Sequence, residues 1–260
     1  MTMDQTPPSS RPPLAGKVVI VVGASAGIGA DTARVLAADG AALMLVARTE
    51  EPLAALTKEL TSAGHDVAYT TGDVSDAASV AGFVDATVAR FGRLDGAFNN
   101  AAMGQSGRLD AVPEEDFDRI MTVNVKGTWL SVREEVRVME RQGYGAIVNV
   151  SSIGGLRGSS GMGAYQATKH AVIGLTRTAA HDFGPLGIRV NVLAPGPIET
   201  PMLDQLRLAV PGGVEARIAA TPLRKVGTGP EVGATVAFLL SDRASHISGA
   251  VLPVDGGFSA

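Results

Sequence analysis

Short apolar runs alternate with longer segments of helical periodicity from Lys17 to the end of the chain. The apolar runs are mostly aliphatic or β-branched, as in parallel strands that are covered on both faces. They comprise residues 18–22, 42–46, 67–70, 94–98, 147–150, 189–193 and 251–254. The helical segments between them comprise residues 28–38, 52–63, 77–91, 114–141, 164–183 and 230–240. This alternation predicts an α/β fold, a doubly wound parallel sheet of seven strands with helices on both faces.

The composition is that of an ordinary globular domain, and it argues against several classes of function. The chain has 260 residues, of which 45% are hydrophobic and 18% are charged, so it can bury a large core. Its net charge of −4 argues against a nucleic-acid partner bound through a basic surface. No apolar run approaches the roughly 18 residues that span a bilayer, so we expect a cytoplasmic protein with no membrane contact.

The cysteine and histidine content argues against a metal site. The absence of cysteine excludes disulfides, cysteine nucleophiles and cysteine-ligated metals, and it fits a reducing cytosol. His65, His181 and His246 lack ligand spacing, and no H-E-x-x-H motif occurs. We therefore expect no catalytic metal.

One domain is predicted, with a tail at its N-terminus. Residues 1–13 are polar and rich in proline, which predicts a mobile tail. No linker or shift in composition divides residues 14–260. Residues 199–223 are less regular and contain several prolines and glycines. They are interpreted either as a connecting helix or as a lid over a pocket at the carboxyl end of the sheet.

A glycine-rich turn follows the first predicted strand and leads into a helix. Its glycines, Gly23, Gly27 and Gly29, have the spacing G-x-x-x-G-x-G rather than the commoner G-x-G-x-x-G. Such a turn lets backbone N–H groups and the helix N-terminus face a pyrophosphate. The alternative is a simple tight turn, but the position after the first strand favours a dinucleotide site.

The end of the second predicted strand indicates which dinucleotide is bound. NAD-binding folds usually place a carboxylate there for the ribose 2′-hydroxyl, whereas this chain has Ala47 followed by Arg48. A guanidinium is a planar donor suited to a 2′-phosphate. The alternative is a solvated arginine at a strand end. The pattern favours NADP(H).

Tyr165 and Lys169 lie four residues apart in a predicted helix, so their side chains share one face. A nearby ammonium favours phenolate and should lower the pKa of Tyr165 from about 10. Such a tyrosine can give or take the proton of a hydroxyl or carbonyl group. The alternative is a surface pair without catalytic meaning.

Further motifs in the same order make the chain resemble the short-chain dehydrogenase/reductase family, over nearly all of residues 14–258. They are the glycine turn, Asn99-Asn100-Ala101-Ala102, Asn124, Ser151-Ser152, Tyr165 with Lys169, Pro195-Gly196 and the ending Gly249 to Asp255-Gly256-Gly257. Such an ordered set is highly specific. The resemblance implies a Rossmann fold and hydride transfer between a nicotinamide and a substrate carbon.

The resemblance also implies a role for each catalytic residue. Tyr165 would be the acid/base, and Ser152 would hold the substrate oxygen as an oxyanion-type donor. Lys169 would bind the nicotinamide ribose and lower the pKa of Tyr165. Asn124 would disturb its helix and hold a water that relays protons to Lys169.

The same resemblance implies a set of cofactor contacts. Asp73 and Val74 would flank the adenine, Asn100 would meet the adenosine-side ribose, and Ile198 and Thr200 would hold the nicotinamide carboxamide. The full expected set is Gly23, Ser25, Ala26, Gly27, Ile28, Gly29, Arg48, Asp73, Val74, Asn100, Tyr165, Lys169, Pro195, Gly196, Ile198 and Thr200.

Two positions depart from the family pattern, and several others are expected to be structural. Val22 stands where a threonine is usual, and Ala102 where a glycine is usual.

Trp129 is expected to be buried at a helix contact, and His170 to be a surface or packing residue. Met103, Met162 and Met202 could line a pocket, but isolated methionines are more often gap-filling core residues. The resemblance implies that the two long helices, 114–141 and 164–183, pair between subunits of a homotetramer or homodimer.

The sequence thus predicts an NADP(H)-dependent oxidoreductase that reduces a small-molecule ketone to a secondary alcohol. An uncharged ketone would fit a pocket formed by Ser152, Tyr165, residues 154–156, Met103 and the apolar side of residues 199–223. Arg157 and Arg207 would instead suit an acidic or carrier-linked substrate group. The alternatives are an NADP(H)-binding regulator without catalysis and an NAD-dependent alcohol dehydrogenase of the same family.

Overall fold

The computed structural model describes residues 12–209 and 212–260, and most of the predicted tail, residues 1–11, lies outside them. Within those ranges seven strands alternate with helices. The strands are β1 (Val18–Val22), β2 (Ala42–Ala47), β3 (Val67–Thr71), β4 (Gly96–Asn99), β5 (Gly145–Val150), β6 (Ile188–Pro195) and β7 (Val251–Val254). The helices are α1 (Gly27–Ala38), α2 (Glu50–Ser62), α3 (Ala77–Phe91), α4 (Glu114–Met121), α5 (Gly127–Gln142), α6 (Gly163–Phe183), α7 (Pro201–Ala209), α8 (Gly213–Ala220) and α9 (Gly229–Leu240).

All seven strands form one parallel sheet in the order β3-β2-β1-β4-β5-β6-β7. The predicted fold class is therefore confirmed. Strand β1 lies between β2 and β4, with Val22 level with Val46 on one side and Asn99 on the other. The order reverses at this strand, and a crevice opens there at the carboxyl ends of the strands.

Alternate residues of β1 point into two separate apolar layers. Val19 and Val21 pack with buried residues of α1, α2 and α9, whereas Ile20 and Val22 pack with those of α3, α5 and α6. This explains why the strands read as continuous apolar runs, since both faces of a doubly wound sheet are covered.

The predicted helix over residues 114–141 is interrupted. A π-helical turn, Thr122–Lys126, separates α4 from α5. The carbonyl of Asn124 in this turn accepts a hydrogen bond from the Thr128 hydroxyl at 2.8 Å. A π turn inside an α-helix often marks a functional position, as the resemblance implied for Asn124.

The prediction that Trp129 is buried is wrong. Its side chain is 46% exposed on α5, while the next residue, Leu130, is buried against the sheet. The Arg133 guanidinium lies 5.1 Å from the centre of the indole ring and partly covers it. Adjacent helical residues point about 100° apart, so burial of Leu130 leaves Trp129 outward.

A buried polar row joins α5 to the sheet and to α6. The Asn99 amide donates to Glu135 Oε2 and to Asn149 Oδ1, each at 3.0 Å. The Asn149 amide in turn donates to the Thr176 hydroxyl at 3.0 Å. Glu135 Oε1 and Asn99 Oδ1 have no hydrogen-bond partner among the described residues. Burial raises the pKa of Glu135 from its ordinary 4.5 to about 8, and the Asn99 hydrogen bond only partly opposes this.

Glu135→Gln should make the protein more stable at neutral pH. The folded protein keeps a proton on Glu135 up to about pH 8, whereas the unfolded chain releases it near pH 4.5. The wild-type free energy of unfolding should therefore fall, relative to the variant, by about 1.4 kcal/mol per pH unit as pH rises through this window. Urea unfolding at several pH values measures the difference.

Glu140→Gln, which removes a charge from the exposed side of the same helix, is the control and should leave the pH dependence unchanged. A difference between Glu135→Gln and wild type that stays constant from about pH 5 to about pH 8 would contradict a raised pKa at Glu135.

Candidate active site

A cleft of about 1070 Å³ lies at the carboxyl ends of the strands. Its walls come from the loops after β1, β2, β3, β4, β5 and β6, and from α1, α4, α6, α7 and α8. Every residue of the expected catalytic and cofactor sets lines this cleft except Gly29 and Asn124. Val22 and Ala102, the two departures from the family pattern, also line it.

The glycine turn after β1 is shaped by close backbone contacts. Gly23 has a φ of +87°, in the left-handed region that favours glycine. A Cβ at Gly29 would lie only 2.0 Å from the Gly23 carbonyl oxygen. The same oxygen accepts a hydrogen bond from the Asn100 side chain at 3.1 Å. Gly29 thus supports the turn from behind, which explains its absence from the wall of the cleft.

The N-terminus of α1 opens into the cleft at this turn. The residue before the helix, Ala26, has no side chain that can cap the first N–H groups, and Ser25, Ala26, Gly27 and Ile28 line the cleft. Uncapped N–H groups at a helix N-terminus attract a phosphate. The turn therefore fits the pyrophosphate of a dinucleotide.

At one end of the cleft, Arg48 follows β2 and Asp73 follows β3. The Ser75 backbone N–H and hydroxyl donate to Asp73 Oδ1 at 2.8 and 2.7 Å. These hydrogen bonds, together with the charge of Arg48, hold the pKa of Asp73 below its ordinary value. Arg48 itself is exposed and has no carboxylate within 4.0 Å among the described residues. Its guanidinium is available to an anion.

Ser152, Tyr165 and Lys169 meet where β5 ends and α6 begins. Ser152 Oγ accepts a hydrogen bond from the Gly154 N–H at 3.1 Å, which leaves its own proton for another partner. Lys169 is 2% exposed, so the pair with Tyr165 is not a surface pair. The Lys169 ammonium donates to the Val150 carbonyl at 3.0 Å and lies 5.5 Å from the centre of the Tyr165 ring.

The pKa of Tyr165 differs from the sequence expectation. Burial raises it, and a hydrogen bond with Ser152 only partly opposes the rise. Burial also lowers the pKa of Lys169 to about 8. Both shifts favour the uncharged form of the side chain. Removing a charge from water costs more free energy than the interactions with neighbouring groups provide. The spacing along a helix indicates that two side chains are close together. It does not indicate how far water is excluded from them.

Asn124 lies behind the cleft wall with its side chain fully engaged. Its Oδ1 accepts from the Met103 N–H at 2.8 Å, and its amide donates to the Met103 carbonyl at 3.0 Å and to the Thr168 hydroxyl at 3.1 Å. It thereby ties the loop after β4 to α6. The water relay that the resemblance implies for Asn124 stays a prediction.

The other end of the cleft is formed after β6. Gly196 continues the sheet by donating to the Val254 carbonyl at 3.0 Å, and the Thr200 hydroxyl donates to the Ile198 carbonyl at 3.1 Å. A Cβ at Gly27 would approach Thr200 Cγ2 to 3.0 Å. The glycine turn and the segment after β6 therefore meet across the cleft.

The pocket that the sequence predicted is partly wrong. Residues 154–156 do not line the cleft, whereas Ile153 does. A Cβ at Gly155 would lie 2.2 Å from Ser151 Oγ, so this turn packs beneath the wall. Of the two positions considered for Met103, Met162 and Met202, the pocket is the one that the structure shows, since all three line the cleft.

Residues 199–223 contain two helices, α7 and α8, and both contribute to the cleft. Met202, Leu203 and Leu206 of α7 and Val214 of α8 supply an apolar wall. The interpretation of residues 199–223 as a connecting helix or as a lid stays a prediction.

The charged residues near the substrate end are not the ones predicted. Arg157 donates to the Phe258 carbonyl at 3.4 Å, and Arg207 pairs with Glu199 and Asp204 at 2.9 Å. Neither lines the cleft, whereas Arg119 and Arg217 do. Arg217 lies three residues after buried Val214, and this spacing on one helix face could have indicated it.

Several smaller expectations concern groups outside the cleft. His170 is exposed, with Nδ1 3.0 Å from the Gln166 carbonyl oxygen, which confirms a surface position. Within residues 12–209 and 212–260, no three acidic or histidine side chains gather in a metal-binding arrangement. In the same ranges no helix combines the length and the apolar character needed to cross a bilayer.

Comparison with known proteins agrees with the fold and the motifs. A family model described as enoyl-(acyl carrier protein) reductase matches residues 23–259. Levodione reductase of Leifsonia aquatica is 42% identical over 252 residues, which cover 94% of each chain. A-factor type gamma-butyrolactone 1'-reductase (1S-forming) of Streptomyces virginiae is 40% identical, with 95% of this chain and 96% of its own covered.

Solved structures are equally similar. The crystal structure of levodione reductase has a TM-score of 0.91 at 39% identity, covering 95% of this chain and 98% of its own. NAD⁺-bound xylitol dehydrogenase gives 0.90 at 36%, covering 94% and 99%. A gluconate 5-dehydrogenase from Burkholderia cenocepacia, in complex with NADP and tartrate, gives 0.91 at 31%, covering 96% and 97%.

The match over nearly the whole chain agrees with the sheet order, the glycine turn and the group around Tyr165. The chain therefore belongs to the short-chain dehydrogenase/reductase family and is an NAD(P)-dependent oxidoreductase.

Proposed function

We propose that this protein uses NADPH to reduce a ketone to a secondary alcohol, with Tyr165 as the proton donor. The observation that carries the proposal is the arrangement of the cleft. Ser152, Tyr165 and Lys169 line the same cleft as the uncapped N-terminus of α1 and as Arg48. A hydride donor held along this cleft would reach a carbonyl beside Tyr165.

The residues around Tyr165 suit the reducing direction. Bound nicotinamide would supply the hydride, and the chain must hold the carbonyl and deliver a proton. The Ser152 hydroxyl, whose oxygen already accepts from the Gly154 N–H, would donate to the carbonyl oxygen. The raised pKa of Tyr165 keeps the phenol protonated at neutral pH, as a general acid needs. Lys169 would hold the nicotinamide ribose.

Arg48 supports NADP(H) over NAD(H). The related structures include one with NAD⁺ and one with NADP, so family membership alone does not choose between them. In this chain buried Ala47 offers no carboxylate to a ribose 2′-hydroxyl, and the next residue is an exposed arginine without an acidic partner in the described ranges. A guanidinium binds a phosphate through charged, bidentate hydrogen bonds.

Exposed aromatic side chains on α4 and α5 support a homodimer or homotetramer. Trp129 is 46% exposed and Phe117 is 39% exposed, and large exposed apolar groups often mark protein contacts. We infer that these helices face another copy of the chain.

Cofactor preference is the first test. In a titration followed by nicotinamide fluorescence, NADPH should bind at least about 10-fold more tightly than NADH. Arg48→Ala should weaken NADPH binding by about 10-fold or more and change NADH binding by less than about 2-fold. Lys58→Ala removes an exposed positive charge from neighbouring α2 and is the matched control. Equal losses for the two nucleotides would place the 2′-phosphate elsewhere.

Tyr165→Phe should abolish turnover while leaving NADPH affinity within about 2-fold of wild type, because only the transferable proton is lost. The rate of NADPH oxidation with a panel of ketones should fall by about 1000-fold or more. Tyr144→Phe, at an exposed hydroxyl bonded to Arg93 outside the cleft, is the control. Substantial residual turnover in Tyr165→Phe would remove Tyr165 from its role. Tight NADPH binding without turnover by the wild type would instead favour a cofactor-binding regulator.

Trp129→Glu should convert the oligomer to monomers, because a charge on this face opposes its burial against a second copy. Light scattering coupled to gel filtration gives the mass of each form. A wild-type mass of one chain, 26.5 kDa, would contradict the proposed assembly.

A further inference from the structure

We propose that Arg217 selects ketones that also carry a carboxylate, which makes keto acids the preferred substrate class of this site. The inference rests on the proposed function, since it concerns the substrate of the same cleft. It departs from the uncharged ketone that the sequence suggested.

The charges that line the cleft fall into two groups. Arg48, Asp73 and Lys169 belong to the cofactor and proton-transfer ends already described. The remaining ionisable lining residues, within the described ranges, are Asp118 and Arg119 of α4 and Arg217 of α8. The substrate end therefore has two cationic side chains and one anionic side chain.

Arg119 and Arg217 differ in what they already bind. Arg119 pairs with Asp116 at 3.0 Å on the same helix and is largely exposed. Arg217 has no carboxylate within 4.0 Å among the described residues, and the nearest acid on its helix, Glu215, lies 3.7 Å from Arg207 instead. Arg217 is thus the cationic side chain at this end that has no ion-pair partner among the described residues, whereas Asp118, the anionic one, is exposed.

The guanidinium of Arg217 is held beside the catalytic helix. Its Nη2 lies 3.5 Å from Met162 Sδ, and Met162 immediately precedes α6, whose first turn contains Tyr165. A thioether sulfur is a weak acceptor, so it positions the side chain without neutralising its charge. Arg217 is also half-buried, which strengthens its attraction for an anion compared with a fully solvated arginine.

These features together describe an anion site in the cleft, between α8 and the start of α6. A carboxylate matches the planar donor fork of arginine through two parallel hydrogen bonds. The apolar wall formed by Met103, Met202 and Leu206 would cover the carbon atoms between the carboxylate and the ketone. A keto acid can pair with Arg217 and also contact the apolar wall, whereas a neutral ketone can make only the apolar contacts.

The test compares keto acids with their methyl esters, which keep the shape and lose the charge. Levulinate and para-acetylbenzoate, each with its ester, are reduced by the NADPH-loaded enzyme, and kcat and KM are measured separately. Wild type should favour the acids by about 10-fold or more in kcat/KM. Arg217→Met keeps the side-chain length and should lower kcat/KM for the acids by about 10-fold, chiefly through KM, and leave the esters within about 2-fold.

Two further variants sharpen the comparison. Arg217→Lys keeps the positive charge but lacks the planar pair of donors of a guanidinium. It should lower kcat/KM for the acids by less than Arg217→Met does. Arg207→Met removes a positive charge from neighbouring α7, outside the cleft, and should leave the ratio of acid to ester unchanged. The inference is overturned if Arg217→Met affects acids and esters equally, if wild type prefers the esters, or if Arg207→Met causes the same loss as Arg217→Met.

Failure of this inference can be told apart from failure of the proposed function. If esters and acids are reduced equally well, the protein is still a ketone reductase and only the role of Arg217 falls. If neither acids nor esters accept hydride from NADPH, the proposed function itself is wrong.

Discussion

The parallel pairing of β1 with both β2 and β4 is the constraint on which the site depends. Because the strand order reverses at β1, the connections on its two sides leave in opposite directions and cannot fill the space above its end. The resulting crevice receives the glycine turn, the loop that bears Asn100 and the end of β5 with Ser152. No single residue creates this space; it follows from hydrogen bonding along the sheet and from the right-handed crossovers.

The exclusion of water from buried ionisable side chains is the second determinant of the chemistry of the cleft. Tyr165 and Lys169 are enclosed where α6 meets β5, and burial drives both toward their uncharged forms. Glu135 of α5, on the same face of the sheet as α6, experiences the same effect. The protein therefore has buried ionisable groups at its centre in two roles, one facing the cleft and the other joining helices to the sheet. The first group lines the cleft, whereas the second is a property of the fold around Asn99 and Asn149.

The fold could be predicted well from the sequence because strands that are buried on both faces of the sheet appear as continuous apolar runs. The positions of most lining residues were also predictable, since the loops after parallel strands meet at one edge. Local sequence patterns gave wrong predictions where the exposure, the pKa or the partner of a side chain depends on residues from distant parts of the chain. Trp129 is exposed because Leu130 takes the buried position, and the pKa of Tyr165 rises because distant segments exclude water from it. Arg157 binds the Phe258 carbonyl and Arg207 pairs with Glu199, partners that helical spacing does not assign, whereas the pair of Arg207 with Asp204 has the ordinary i,i+3 spacing.

The walls of the cleft are segregated along the chain. The end of the cleft that holds Arg48 and Asp73 comes from the loops after β1, β2 and β3, whereas the wall beyond Tyr165 comes largely from α7 and α8. A recombination event between two related genes, with its junction between β4 and β5, would join the Arg48 end from one parent to the α7 and α8 wall from the other. The hydrogen bond between Asn99 of β4 and Asn149 of β5 crosses that junction within the core. A chimera of relatives that share this asparagine pair would keep the hydrogen bond across the junction, whereas a chimera in which one parent lacks either asparagine would lose it inside the core.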